Sequence, residues 1–338
     1  MNIVSKRKKG LIGLSIAVAV CVMFVGVRGL AAGRVDLEKD VNITANIDTN
    51  DNSLFVKNYK GNVEVKVFKL ATMDEFGNLT LTSDFEGTGI DLSVLDNEPT
   101  VESIKAGIVD KAVKAAENIT DSAKYKTITI NRADGQTSES IPIQNGAGLY
   151  LYLPVDVTDD EYIYKFTPYI IFAPSSDYIV TGQGSDEWKY DVSFKLKSSE
   201  ERRVGTLKLT KTLDKYNESL GIVSFVYKIK ATLPDGTVVF DDLRTIDFSA
   251  PGTKEEEVII PATATVTVEE VYTGGSYQPV EGTTTKYENI KIVADKISDE
   301  AVFENTYDGK LIAGGISAVN TYTKVDGEYV HSSNIDIQ

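Results

Sequence analysis

The stretch that decides the fold is Gly205–Lys211, G-T-L-K-L-T-K. Side chains alternate faces along a strand, so Leu207 and Leu209 set an apolar face and Lys211 falls on it. Burying an ammonium is costly unless it is paired or loses its proton. Two later stretches repeat the anomaly. In T-V-T-V-E-E (Thr265–Glu270), Val266 and Val268 set the inward face and Glu270 shares it. In A-V-F-E-N-T-Y (Ala301–Tyr307), Phe303 sets the face and Asn305 shares it. The pattern predicts one β-domain that aims a lysine, a carboxylate and an amide into a single core. Lys208 and Glu269, one residue out of register, face the other way.

These phrases carry a resemblance. G-T-L-K-L-T-K-T-L, then F-V-Y-K-I-K-A-T-L, then V-T-V-E-E-V-Y-T-G-G-S-Y, then V-F-E-N-T-Y resemble a Gram-positive pilin module. They are similar to the collagen-adhesin B-type and streptococcal pilin isopeptide-linkage domains. The resemblance covers residues 205–308 and implies a seven-stranded or similar β-sandwich with adjacent first and last strands. It also implies an intramolecular isopeptide bond in which Lys211 is the amine, Asn305 the acceptor and Glu270 the catalyst. Glu270 stands seven residues before Tyr277, matching the family's E-x6-Y phrase, although Ser276 stands where the family has Pro.

The chemistry that the resemblance implies agrees with burial. Attack on an amide needs a neutral amine, and burial among Leu and Phe disfavours the charged form of Lys211. A buried, neutral Glu270 can donate a hydrogen bond to the amide and relay protons as ammonia leaves. Fixed strands supply the effective molarity. The reaction occurs once, so it is maturation and not enzymatic turnover. The competing reading is a buried Lys211–Glu270 ion pair with a hydrogen-bonded Asn305.

Length and composition set the frame. A chain of 338 residues holds two or three domains, and 42% apolar residues with only 9 Pro suffice for packed cores. Residues 1–33 read as a secretory signal peptide: Lys6, Arg7, Lys8 and Lys9 precede an apolar run from Leu11 to Val27, and Ala31-x-Gly33 offers a small-residue cleavage site. The run is long enough that an uncleaved anchor is the alternative. Removing 1–33 takes away five positive charges and no acidic ones, moving the formal charge from −15 to −20. Such a surface argues against nucleic acid or an anionic membrane as partner. The sole cysteine, Cys21, lies in the leader, so the mature chain has no disulfide. An exported protein without disulfides needs another source of stability.

Residues 34–198 are expected to form an N-terminal pilin-like β domain. Val63, Val65 and Val67 share one face of an alternating strand, a turn follows at Asp74–Asn78, and alternation returns in Gly148–Leu153 and Tyr162–Phe166. One helical stretch, about 99–117, carries Ile104, Ile108 and Ala112 at a spacing of four. Phe68–Leu81 and Ala147–Leu153 resemble phrases of shaft-pilin N-terminal domains. W-K-Y-D-V-S-F-K-L-K (Trp188–Lys197) is similar to the phrase whose lysine receives the next subunit in sortase-built pili. That likeness makes Lys197 an intersubunit linkage candidate, against the reading of an ordinary lysine on an amphipathic strand. Ser198–Val204, S-S-E-E-R-R-V, reads as a polar linker. Residues 309–338 carry no L-P-x-T-G signal, apolar span or basic tail. Ile316–Val325 reads as a strand that either folds back or is offered to a neighbouring subunit.

The expected fold class is therefore mainly β, tandem Ig-like β-sandwich domains, the first with an inserted helix. The expected role is a structural subunit of a secreted bacterial pilus or surface fibre, not an enzyme. Its partners would be other pilin subunits and, for a linkage at Lys197, a sortase. The alternative is an adhesin with a host ligand that the sequence does not name. No cofactor or metal is expected: the single histidine, His331, lies in the tail, and the acidic run Asp156–Glu161 lacks the spacing and Gly of a calcium loop.

Overall fold

A computed structural model describes residues 33–96, 99–175, 187–310, 316–325 and 328–337. The leader expectation rests on residues 1–32, which lie outside the described residues, as does the loop at Gly314-Gly315. No helix among the described residues is long and apolar enough to cross a membrane. The chain is mainly β and divides into two compact units. One comprises residues up to Val157 with Tyr164–Glu200; the other comprises Thr158–Ile163 with the residues from Glu201 onward.

Through Arg202 the strands in chain order are β1 (Val41–Asn46), β2 (Asn62–Met73), β3 (Leu79–Leu81), β4 (Lys126–Asn131), β5 (Ser138–Ile143), β6 (Gly148–Pro154), β7 (Val157–Thr158), β8 (Tyr162–Phe166), β9 (Tyr169–Ala173), β10 (Asp191–Lys195) and β11 (Ser198–Arg202). They form a sheet ordered β3-β2-β6-β9 with β4 also on β2, and smaller sheets β10-β1-β5 and β11-β8-β7. Val63, Val65 and Val67 are buried on one face of β2. Past them the alternation breaks. Phe68 and Leu70 are buried on the opposite face, in a separate cluster, and a register shift between Lys69 and Ala71 brings Ala71 and Met73 into that same cluster, as a bulge does.

The helical stretch runs over 101–116 as α1 (Val101–Ile104), a π turn at Lys105–Val109, and α2 (Asp110–Ala116). Its start is fixed by a reciprocal cap between Thr100 and Ser103. Ile104, Ile108 and Ala112 are buried in one cluster with Phe68, Leu70 and Leu149. A strict spacing of four drifts about 40° per step on a 3.6-residue helix, and the wider π turn takes up that drift. A further one-turn helix, Leu54–Asn58, opens at Ser53, whose hydroxyl accepts the Val56 N–H. It buries Phe55 against Tyr164 and Phe166.

Ser198–Val204 is not the coil that its polarity predicts. Ser198–Arg202 is strand β11, beside β8. Backbone pairing does not require apolar side chains, and both faces here are only half-buried, so the sequence shows no alternation.

The second unit holds β12 (Val204–Leu213), β13 (Val223–Thr232), β14 (Val238–Phe248), β15 (Gly252–Pro261), β16 (Thr265–Tyr272), β17 (Tyr277–Pro279), β18 (Lys286–Lys291) and β19 (Ile297–Tyr307). These make two four-stranded sheets, β15-β12-β19-β17 and β14-β13-β16-β18. The count is eight because the short β17 adds to the edge of β19. All pairs are antiparallel except β12 with β19, which lie side by side in parallel. Leu207, Leu209, Phe225, Ile229, Val266, Val268 and Phe303 fill the space between the sheets, each worth about 1.5–3 kcal/mol on burial. Ile316–Val325 and Glu328–Ile337 pair antiparallel as a separate two-stranded sheet.

Candidate crosslink site

The site grows from the parallel pairing of β12 and β19. Lys211 lies opposite Phe303, and Leu213 opposite Asn305, so Lys211 and Asn305 stand one diagonal step apart on one inward face. Glu270 comes from the facing sheet, on β16, where it lies opposite Tyr227 of β13. Its backbone N–H donates to the Thr285 carbonyl at 2.8 Å, which fixes the end of the strand that carries it. Facing sheets lie about 10 Å apart, and a lysine side chain spans much of that gap.

Lys211, Glu270 and Asn305 are three of the five buried polar or charged residues among those described, and one oxygen joins them. Lys211 Nζ donates to Glu270 Oε1 at 2.7 Å, Tyr227 Oη–H donates to the same oxygen at 3.0 Å, and Asn305 Nδ2–H donates to it at 3.2 Å. Two buried acceptors beside them have no hydrogen-bond partner: Glu270 Oε2 and Asn305 Oδ1. A half-turn of the Asn305 amide exchanges the two ends it presents to the carboxyl.

The surroundings are apolar and aromatic. Lys211 Nζ sits 4.3 Å from the centroid of the Phe225 ring, a cation–π contact that partly replaces lost water. The Tyr227 ring packs on Phe303 at 4.9 Å. Burial pushes the Lys211 amine down to about 8 from 10.5, with the Glu270 and Glu304 charges acting the other way. Burial and the Glu270 charge push the Tyr227 hydroxyl up, so it stays a donor at neutral pH. Tyr277 begins β17 after a turn in which Gly274 takes φ +78°. An added Cβ there would lie 2.6 Å from Val223 Cγ2, so the turn accepts only glycine. The Tyr277 ring meets Phe225 at 5.9 Å, and its hydroxyl accepts the Asn217 N–H at 3.2 Å.

The neighbours in sequence take no part. Lys208 Nζ reaches Glu255 at 3.3 Å on the outer face, and Glu269 is exposed. Lys197 belongs to the other unit. It lies half-buried between β10 and β11, after buried Leu196, and its carbonyl accepts the Thr167 N–H at 3.2 Å. In the acidic run, Asp159 Oδ1 accepts the N–H groups of Glu161 and Tyr162, each at 2.8 Å, as a turn residue does. Tyr227 escaped the sequence reading. The only signal was its place in F-V-Y-K-I-K, where Phe225, Tyr227 and Ile229 alternate inward, and that reads equally well as core.

No protein-family description matches the chain, and no curated protein matches it. Among solved structures it is similar to the minor pilin GBS52 of Streptococcus agalactiae, at 12% identity over 81% of this chain and 98% of that one, with a TM-score of 0.22. It is similar to the SpaE basal pilin of Lactobacillus rhamnosus GG, at 12% identity over 79% and 99%, with a TM-score of 0.27. The Bacillus anthracis TIE protein aligns at 12% identity over 88% of this chain and 44% of that one, with a TM-score of 0.31.

Proposed function

We propose that the Lys211 amine and the Asn305 side-chain amide join in an intramolecular isopeptide bond promoted by Glu270. We further propose that the protein is a structural subunit of a secreted bacterial pilus or surface fibre. The observation that carries the reading is the single carboxylate oxygen that holds both the amine and the amide in a core that excludes water.

The reaction balances without a cofactor. Proton transfer within the buried Lys211–Glu270 pair gives a neutral amine and a neutral acid, the form that low dielectric favours. Asn305 turns its carbonyl end to the acid, which polarises it. Lys211 Nζ attacks Asn305 Cγ, and the new N–C bond forms as the carbonyl electron pair moves to oxygen. Glu270 takes a proton from the attacking nitrogen and delivers one to Nδ2. The Cγ–Nδ2 bond breaks and ammonia leaves, so one amide replaces another.

The fibre role follows from where the bond falls. β12 and β19 are the first and last strands of the sandwich, and they run parallel. Tension entering at Val204 and leaving past Tyr307 would shear those two strands apart. A covalent tie from Lys211 to Asn305 carries that load past the hydrogen-bonded ladder. The acidic, cysteine-free sequence after residue 33 suits an exported protein with no disulfide to do this. Other subunits of the same fibre are the natural partners, with Lys197 as the candidate acceptor of a covalent link between them. Peptide mapping tests the central bond. A tryptic digest should yield a branched peptide joining the segment around Lys211 to that around Asn305; recovery of both as separate linear peptides would refute the reading.

A further inference from the structure

We propose that Tyr227 is a positioning residue for this crosslink: its hydroxyl donates to Glu270 Oε1 and holds the carboxyl plane between the Lys211 amine and the Asn305 amide. The inference rests on the isopeptide reading above and adds a fourth residue to it.

The argument is one of donors and acceptors. Glu270 Oε1 accepts from Lys211, Tyr227 and Asn305. Both reacting groups face that oxygen, so the donor that holds it sets the geometry in which the amine and the amide meet the carboxyl. Glu270 Oε2 has no hydrogen-bond partner, so the carboxyl is held from the Oε1 side, and a misplaced carboxyl in a dry core has no water to replace its contacts.

Of the three donors, only Tyr227 keeps its role throughout the reaction. Lys211 becomes an amide nitrogen, and Asn305 must present its oxygen. The Tyr227 O–H is not consumed, and its ring is held against Phe303 at 4.9 Å. Backbone pairing holds it as well, because Tyr227 and Glu270 lie directly opposite across β13 and β16. Tyr227 thus fixes the carboxyl plane while the other two donors change identity.

The test times bond formation in the full chain, made by cell-free translation and sampled for intact mass. Losing one hydrogen bond to an ionisable buried group should slow ammonia loss in Tyr227→Phe by about tenfold to a hundredfold. When both carry Asn305→Ala and no link can form, Tyr227→Phe should still fold and melt below its parent, because the buried carboxyl loses a donor. Tyr227→Leu, which also removes the ring, should melt lower still. Wild-type kinetics in Tyr227→Phe would overturn the inference and leave the tyrosine a packing residue. A wild type that never loses ammonia would instead overturn the crosslink reading itself. Should Tyr227→Phe fail to fold, NMR of the Asn305→Ala protein decides. An exchange-protected tyrosine hydroxyl proton that shifts on Glu270→Gln supports the anchor, and its absence refutes it.

Discussion

Asn305→Ala and Glu270→Ala both abolish the proposed bond, but they should not be equally damaging. Asn305→Ala removes the acceptor and leaves the 2.7 Å Lys211–Glu270 pair in place. Its main cost is the link itself, which closes a loop of about 100 residues. On the disulfide loop-entropy relation such a closure is worth roughly 4–5 kcal/mol. At about 4–8 °C per kcal/mol for a domain near 100 residues, the transition should fall by about 20 °C or more. Glu270→Ala adds a second penalty, because Lys211 is then fully buried without its nearest counter-charge. Breaking a buried pair from one side costs about 3–5 kcal/mol, partly relieved by release of the Lys211 proton. The expected order of stability is wild type, then Asn305→Ala, then Glu270→Ala. Calorimetry of the full chain reads the order, and hydrogen exchange in peptides from β12 and β19 assigns the transition that moves. If wild type and Asn305→Ala melt within a few degrees of each other, no covalent bond joins β12 to β19. If Glu270→Ala is as stable as Asn305→Ala, the ion pair contributes nothing and its buried charge has been misjudged.

Further outcomes follow from the same geometry. Lys208→Ala and Glu269→Ala should leave the crosslink intact, because both side chains face away from the core; an unlinked mass in either would place the chemistry one register off. Lys197→Ala should abolish boiling-resistant multimers on producing cells while the monomer stays folded, and unchanged ladders would remove Lys197 as the linkage point. In Asn305→Ala the free amine ionises near 8 in the folded chain against 10.5 unfolded. Between those values the unfolded chain binds more protons, so the Lys211 contribution should rise by about 3 kcal/mol as pH goes from about 8 toward 10.5 and be absent below 8. Denaturant titrations across that window that stay flat, or that fall before tyrosines ionise, would contradict this. The wild-type bond should form at a steady rate just below pH 8 and more slowly above it, as the pair loses the one proton that Glu270 must carry, readable as the rate of ammonia loss.

The inward faces of β12, β16 and β19 were legible because strand side chains alternate and Leu207, Val268 and Phe303 mark the buried side. Lys211, Glu270 and Asn305 therefore declared their burial in one dimension. Their meeting at a single oxygen did not. It depends on β12 lying beside β19 and on β16 facing them from the other sheet, which are facts of topology. Tyr227 shows the limit most clearly: an inward tyrosine between Phe225 and Ile229 looks like packing until the β13–β16 register sets it opposite Glu270. Leu54–Asn58 is a single helical turn, too short to display a period, and only the Ser53 cap marks it. Ser198–Arg202 pairs through its backbone, which leaves no side-chain alternation to read. A strict period of two sends Phe68 to the face opposite Val67, and it is buried there because Phe85 and the helical residues Ile104 and Ile108 cover that face, which the strand alone does not show.

The most direct test of the central claim is the intact mass of the wild-type protein purified in its folded form. The account predicts a mass lower than the processed sequence by one ammonia, with Glu270→Ala and Asn305→Ala each at the mass of its unmodified sequence. A wild-type mass equal to that of the unmodified chain would contradict it, leaving Lys211 and Glu270 as a buried ion pair beside a hydrogen-bonded asparagine.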